Sequence, residues 1–356
     1  MASTFADETP GSQSNSRAQS QPRSTPRGRL QTLKGVEIQG IGAYAPAGIV
    51  RNEDLAELGY DADWIVQRTG ILERRRAAAD QATSDLAYEA ARRCLKNAKV
   101  EAKDVDLLIV GTMTPDNPMP STACRVQQRL GCNAPAMDMN SACSGFMYAL
   151  VTAMQYVKTG CAQRALVIGA DLMTRTLNPA DKKTFPLFGD GAGAVLVGTG
   201  NDDQGLLSYM LGADGQGGDL LCIPAGGSRE PLSQEALDGK RQFIQMDGRP
   251  VFKWAVRLVA ESILDVAEDA EILPQDIDLV VLHQANMRII DSAVNDLGID
   301  REKVVVNLQK YGNTSAASIP LALNEVYEQG RVQRGDKILL CGFGAGLTWG
   351  TAILKW

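Results

Sequence analysis

Apolar residues along this chain recur in two alternating rhythms. Between 83 and 98 they fall at helical spacing, with Leu86, Ala90, Cys94 and Ala98 on one stripe and Ala87, Ala91 and Leu95 beside it. Thr83 or Ser84 stands where the helix cap belongs. The continuous apolar run VDLLIVGT follows and reads as a buried strand. The same pairing recurs three times. FMYALVTAMQYVKTG leads into RALVIGA. A helix predicted over 252–270, carrying Phe252, Val256, Val259, Ile263 and Val266, leads into IDLVVLHQ. IPLALNEVYEQG leads into KILLCGF. From Asp106 to Asp278 is 172 residues, and from Arg164 to Lys337 is 173. Two nearly equal offsets between matching units predict an internal duplication, with two α/β halves over 35–205 and 206–356. The strand VEIQGIGAYAP opens the first half.

Residues 1–34 break both rhythms. SQSNSRAQSQPRSTPRGR is rich in Ser, Gln, Pro and Arg, and it has too few large apolar groups to offset the entropy of ordering. A disordered tail is expected there. It lacks the apolar core of a secretory signal. Its Ser and Arg content leaves an organelle transit peptide, and so a plastid location, as an alternative. Asp7 and Glu8 weigh against that.

Composition narrows the chemistry. The chain has 356 residues, 44% hydrophobic and 22% charged, which fits a globular protein of two domains. No eighteen-residue apolar run is present, so no membrane span is expected. A net charge of −6 argues against a general nucleic-acid binder. Only His283 can supply an imidazole, which excludes a multi-histidine metal site and catalysis by two histidines within one chain. Seven cysteines without a C-x-x-C pair point to reduced thiols in a cytosol rather than a zinc ribbon.

Three positions stand out chemically. Cys143, in DMNSACSGF, falls at the start of an all-apolar helix among small residues. A helix N-terminus favours the thiolate, the reactive form of cysteine. The alternative is an inert core cysteine. His283 ends a buried strand, at the edge where ligands gather in α/β sheets; a structural histidine is the plain alternative. Asn313, in YGNTSAASIP, falls between the predicted strand VVVNL and a helix starting near Ser315, where turn and cap residues are ordinary. FGDGAGA (188–194) and GFGAGLTWG (342–350) lack the context of phosphate loops and are expected to be tight turns.

In this order, WIVQRTGILERR, SACSGF, FGDGAGA, HQANMRII, GNTSAAS and GFGAGLTWG resemble the β-ketoacyl-[acyl carrier protein] synthase III family, the initiating condensing enzymes of type II fatty acid synthesis. The resemblance runs from about Gly35 to Trp356. It implies the thiolase fold, two duplicated halves in five αβαβα layers, and a catalytic set of Cys143, His283 and Asn313. Elongating synthases use two histidines, which this chain lacks. Chalcone synthase-like enzymes share the set but match the flanking motifs less well.

The resemblance further implies acylation of Cys143 by an acyl-CoA, then decarboxylation and condensation of malonyl-[acyl carrier protein]. The backbone N–H groups of Cys143 and Ala345 would form an oxyanion hole. Trp64, Arg68 and Arg175 would bind CoA, the indole and a guanidinium enclosing its adenine. Gln284, Ala285, Asn286, Met287 and Arg288 would meet the carrier protein, with Lys253 and Arg257 extending a positive patch. Met119 and Phe343 would line the acyl pocket. Acetyl-CoA is the default primer, and the flexible Met119 leaves a longer or branched one open. A homodimer in the cytoplasm, with no permanently bound cofactor, no metal, and no nucleic-acid or membrane partner, completes the expectation. Three rivals are a condensing enzyme of secondary metabolism, a cysteine hydrolase or amidotransferase, and a non-catalytic acyl-binding protein. The hydrolase reading needs an acid to orient His283, and Gln284, Ala285 and Asn286 supply none.

Overall fold

The computed structural model describes residues 28–356, so most of the expected tail lies outside the described residues. Its strands are β1 (Gln31–Lys34), β2 (Val36–Tyr44), β3 (Gly48–Arg51), β4 (Glu73–Arg76), β5 (Leu107–Gly111), β6 (Ala136–Met139), β7 (Arg164–Leu172), β8 (Asp190–Thr199), β9 (Gly205–Ala213), β10 (Leu221–Cys222), β11 (Gln245–Met246), β12 (Leu279–Leu282), β13 (Lys337–Gly344) and β14 (Thr348–Lys355). Its α-helices are α1 (Ala62–Thr69), α2 (Thr83–Ala98), α3 (Thr122–Leu130), α4 (Gly145–Lys158), α5 (Gln234–Asp238), α6 (Gly248–Asp269), α7 (Met287–Leu297), α8 (Leu308–Tyr311) and α9 (Ser318–Glu328).

Two five-stranded sheets carry the fold, ordered β2-β8-β7-β5-β6 and β1-β9-β14-β13-β12. The first has two parallel pairings, β5 with β6 and with β7, and the second has one, β12 with β13; antiparallel strands extend both. The central parallel strands of the two halves correspond by register. Leu107 pairs with Ala165, and Leu279 (107 + 172) pairs with Ile338 (165 + 173). Even the polar fastening repeats. The Asp106 carboxylate accepts from the Arg164 N–H at 2.9 Å, and the Asp278 carboxylate from the Lys337 N–H at 2.8 Å.

The apolar patterns decide the layering. α2 turns Leu86, Ala87, Ala90, Ala91, Cys94 and Leu95 onto the first sheet. α6 turns Ala255, Val259, Ile263 and Val266 onto the second. α4 and α9 lie between the sheets, and α4 is therefore apolar nearly all round. The result is five layers, α2/α3, sheet, α4/α9, sheet, α6/α7.

Four local expectations are corrected. Residues 31–34 are not tail: they pair antiparallel with β9 as an extra edge strand of the second sheet. Thr83 and Ser84 lie inside α2. The cap position is Ala82, whose N–H is held by the Asp85 carboxylate at 2.7 Å. VVVNL occupies the place that β6 holds in the first half, yet makes only one bridge, Val280 to Val304. The Asn307 and Leu308 N–H groups turn instead to the Gln284 side-chain oxygen. FGDGAGA runs into β8 as strand rather than turning, and Gly193 is needed because Pro320 of α9 stands 2.7 Å from where its Cβ would be. GFGAGLTWG does turn, joining β13 to β14.

Candidate active site

β6 delivers the chain to the N-terminus of α4. The Asn140 side-chain oxygen accepts the Ala142 N–H at 3.2 Å, and Ala142 takes φ +47°, in the left-handed region. Such a non-glycine residue costs about 1–3 kcal/mol and persists only where its surroundings enforce it. A 3-10 turn over Ala142–Ser144 then leads into α4, with Cys143 buried within it.

The second half builds the same turn. The Asn313 Oδ1 accepts the Ser315 N–H at 2.9 Å, Ser315 takes φ +51°, and a 3-10 turn over Ser315–Ala317 leads into α9. With Oδ1 so engaged, Nδ2 is the edge of Asn313 able to donate. Its backbone is held on both sides by the 187–189 segment, through Leu187 O at 2.8 Å and the Gly189 N–H at 3.0 Å. His283 follows β12, its N–H donating to Cys341 O at 2.8 Å and its ring lying edge-on to Phe343, 5.1 Å between centroids.

Cys143, His283 and Asn313 all line one cavity of about 120 Å³. Phe343, Gly344, Ala285 and Asn286 share its wall. A second cavity of about 590 Å³ opens on the other side of Cys143, where Ala345 is part of the lining. Cys143, Phe188 and Leu221 line both spaces.

Burial sets the protonation states. It pushes the Cys143 thiol up to about 12, and the Asp171 carboxylate adds to that while the Ser315 hydroxyl opposes it. The thiolate expected at this helix end is therefore not the resting form, because loss of hydration outweighs the helix dipole. Burial also holds His283 down to about 3, so the imidazole is neutral at ordinary pH. Its Nδ1 is buried without a hydrogen-bond partner, so no carboxylate orients the ring.

The remaining predicted site residues divide. Trp64 is exposed on α1, and the Arg68 guanidinium lies 5.8 Å from its ring centroid. The Asn286 amide donates to Arg68 O at 3.1 Å, which ties this pair to the rim of the smaller cavity. The exposed Arg175 guanidinium donates to the carbonyls of Ala78, Ala79 and Gln81. Gln284 is buried, bonding Leu282 O and Val305 O, so it braces the fold and offers no surface to a carrier protein. Met287 is half-buried, taking a hydrogen bond from Arg301 on its sulfur. Arg288 is exposed, stacked 4.9 Å over Phe252, which lines the smaller cavity; Lys253 and Arg257 are exposed along α6. Met119 is 85% exposed in a separate surface groove and does not reach the Cys143 cavities of its own chain. Phe343 lies on the His283 side of Cys143, not in the larger cavity.

Sequence reasoning passed over Asp171. Fully buried, it accepts from Thr112, Met113, Thr114 and, at 3.0 Å, the Ala316 N–H at the start of α9. The repeat offset was a usable signal: Asn140 plus 173 is Asn313, and Asp171 plus 173 is Gly344.

Comparison with known proteins agrees with this geometry. Residues 137–215 match the family model of 3-oxoacyl-[acyl-carrier-protein] synthase III, 267–356 match that of its C terminal part, and 41–175 match the model of stage V sporulation protein AD. The chain is 58% identical over 345 residues to the beta-ketoacyl-[acyl-carrier-protein] synthase III of Rhodopirellula baltica, covering 92% of this chain and 100% of that protein. It superposes on the crystal structure of 3-oxoacyl-[acyl-carrier-protein] synthase III from Aquifex aeolicus with a TM-score of 0.83 and 41% identity, over 90% of this chain and 100% of that one. The priming β-ketosynthase of the R1128 polyketide pathway gives 0.84 at 33% identity, over 92% and 98%. Two duplicated halves that bring a cysteine, a histidine and an asparagine to one cavity define a thiolase-fold condensing enzyme, an acyltransferase by class. Within that class, the chain belongs to the β-ketoacyl-[acyl-carrier-protein] synthase III family.

Proposed function

We propose that this protein condenses an acyl-CoA primer with malonyl-[acyl carrier protein], giving 3-oxoacyl-[acyl carrier protein], CoA and CO2 and so initiating fatty acid synthesis. The convergence of Cys143, His283 and Asn313 on one cavity carries the reading.

In the first stage the Cys143 sulfur bonds to the acyl carbonyl carbon, the C–S bond to CoA breaks, and the thiol proton leaves with the CoA sulfur. The Cys143 and Ala345 N–H groups hold the intermediate's oxyanion. In the second stage the malonyl C–C bond breaks and CO2 departs. The electron pair moves onto the thioester oxygen, held by donors from neutral His283 and the Asn313 amide. Asparagine cannot titrate, so its donor persists at any working pH. The enolate carbon then attacks the acyl carbon and returns the electron pair to Cys143, which takes up one proton.

Trp64 and Arg68 stand at the rim for CoA, and Arg288, Lys253 and Arg257 supply positive charge for an acidic carrier protein. The high exposure of Met119 suits a side chain covered by a second copy, as in a homodimer. Among the described residues no helix is long and apolar enough to cross a membrane. The partnerless Nδ1 of His283 argues against the hydrolase reading. Incubation with acyl-CoA should add the acyl mass to the Cys143 peptide, and Cys143→Ala should abolish it. Malonyl-carrier-protein should then release a 3-oxoacyl product. Acylation followed only by hydrolysis would refute the proposal.

A further inference from the structure

The Cys143 and Ala345 N–H groups come from different halves of the chain, and two hydroxyls join the turns that carry them. Ser144 Oγ and Thr348 Oγ1 lie 2.8 Å apart, though 204 residues separate them in sequence. Ser144 Oγ also stands 2.7 Å from Ser141 O, and Thr348 Oγ1 stands 3.0 Å from Ser141 O and 2.9 Å from Ala345 O. Each hydroxyl has one proton to donate. Every placement of the two protons among these contacts but one leaves a hydrogen bond between the halves. Strand β13 itself meets the Cys143 turn through Gly342 and Gly344, which have no side chain to grip it.

The anchored carbonyls govern the aim of the two donors. Ser141 C=O and the Cys143 N–H belong to the peptide units on either side of Ala142. The Ala345 N–H and C=O belong to the units on either side of Ala345. With the carbonyl fixed, one alanine's φ and ψ direct each N–H. Ala142 holds φ +47°, a conformation that relaxes unless its surroundings enforce it. The matching turn at α9 holds Ser315 at φ +51°, yet the residue matching Ser144 there is Ala317 (144 + 173). Building such a turn therefore does not require the hydroxyl. It is found at the turn whose N–H is assigned to the oxyanion.

We propose that Ser144 and Thr348 are positioning residues, whose hydroxyls set the separation and aim of the Cys143 and Ala345 N–H groups so that both meet the thioester oxyanion. This rests on the acyltransferase reading above and deepens it. The full-length protein is assayed with whichever of acetyl-, isobutanoyl- and octanoyl-CoA labels Cys143 fastest. Acyl mass is followed in a single turnover at rising acyl-CoA concentration, and CO2 release from malonyl-carrier-protein is measured separately. Thr348→Val keeps the shape and loses the hydroxyl. It should lower the maximal acylation rate at least tenfold, toward the roughly 10²–10³-fold lost with a whole oxyanion donor. The half-saturating acyl-CoA concentration should move less than threefold. Thr348→Ser loses the methyl and keeps the hydroxyl, and should return the rate to within threefold of the parent. Ser144→Ala should lose at least threefold. The double variant should lose no more than Thr348→Val alone, because the two hydroxyls act as one unit. CO2 release, assigned to His283 and Asn313, should change less than threefold throughout. A smaller loss in Thr348→Val, failure of Thr348→Ser to recover it, or equal losses in both half-reactions overturns the inference. Should Thr348→Val fold poorly, Ser144→Ala decides by the same comparison of half-reactions. If none of the three CoA esters labels Cys143 in the parent protein, the acyltransferase reading itself has failed.

Discussion

The N-termini of α4 and α9 are two copies of one device put to opposite uses. Both follow an Asn whose side chain accepts the N–H two residues on, and both pass through a left-handed residue, Ala142 in one and Ser315 in the other. At α9 the position matching Cys143 is Ala316, and its N–H is stoppered by the Asp171 carboxylate at 3.0 Å. At α4 the position matching Asp171 is Gly344, which presents no side chain to the Cys143 N–H. The second end is closed by the Asp171 carboxylate, and the first has no matching carboxylate on its backbone N–H. The strand ends differ in the complementary sense. Gly111, after which α4 packs directly on β5, corresponds to His283 (111 + 172), where the second half makes room for an imidazole. Duplication supplied the frame, and each half lost what the other keeps.

Closing the open end should have the largest effect. A Cβ at Gly344 would lie 2.8 Å from the Cys143 nitrogen and 2.9 Å from its Cβ, against groups that cannot yield cheaply. Gly344→Ala should therefore cost acyl transfer about 10²–10³-fold, the usual loss on removing one oxyanion donor. Decarboxylation of malonyl-carrier-protein, which the proposed mechanism assigns to His283 and Asn313, should fall less. Equal losses in both half-reactions, measured by acyl-enzyme formation and CO2 release, would show that the open N–H is not what separates the two ends.

Opening the closed end is the reciprocal experiment. Asp171→Asn keeps the shape but turns an N–H toward one of the donors that the carboxylate now receives. Leaving a buried polar group unsatisfied costs about 1–3 kcal/mol. The start of α9, and Asn313 with it, should shift enough to slow decarboxylation about tenfold, as small misplacements of reacting groups do. Acyl transfer should hold or rise, because the Asp171 charge is one of the causes that raise the Cys143 thiol. A fall in acyl transfer alone would sink the assignment.

How much of this could be read from the chain depends on whether the signal was local. The helices and central strands were legible because their apolar spacing reports directly on layers that bury them, and the 172 and 173 offsets matched the register of the strand pairs. Features fixed by distant partners were not. QTLK looks like tail until β9 lies beside it, and Gln284 looks like surface until Asn307 and Leu308 turn toward its oxygen. The thiolate expected at Cys143 failed for the same reason: a helix end is visible in sequence, whereas the depth of its burial is not. The convergence of the three chemical groups was named only through the family resemblance. The offset linking Asn140 to Asn313 would have drawn attention to the asparagine on internal evidence.

The smallest effect concerns the room that the second half makes for His283. Held at about 3 against an ordinary 6.5, this histidine stays uncharged when folded over a range in which the unfolded chain binds a proton. Between those values the unfolded state carries more protons, so stability is complete above about 6.5 and declines as pH falls toward 3. The slope can reach about 1.4 kcal/mol per pH unit. From pH 7.5 to pH 5 the loss is roughly 2 kcal/mol. His283→Gln removes the only imidazole in the chain. Urea unfolding of parent and variant should therefore converge as pH drops, the parent's advantage shrinking by about that amount. A gap that stays constant from pH 7.5 to 5 would mean that the room made for His283 at the position matching Gly111 is steric only, with the imidazole still able to reach water and charge in the folded state.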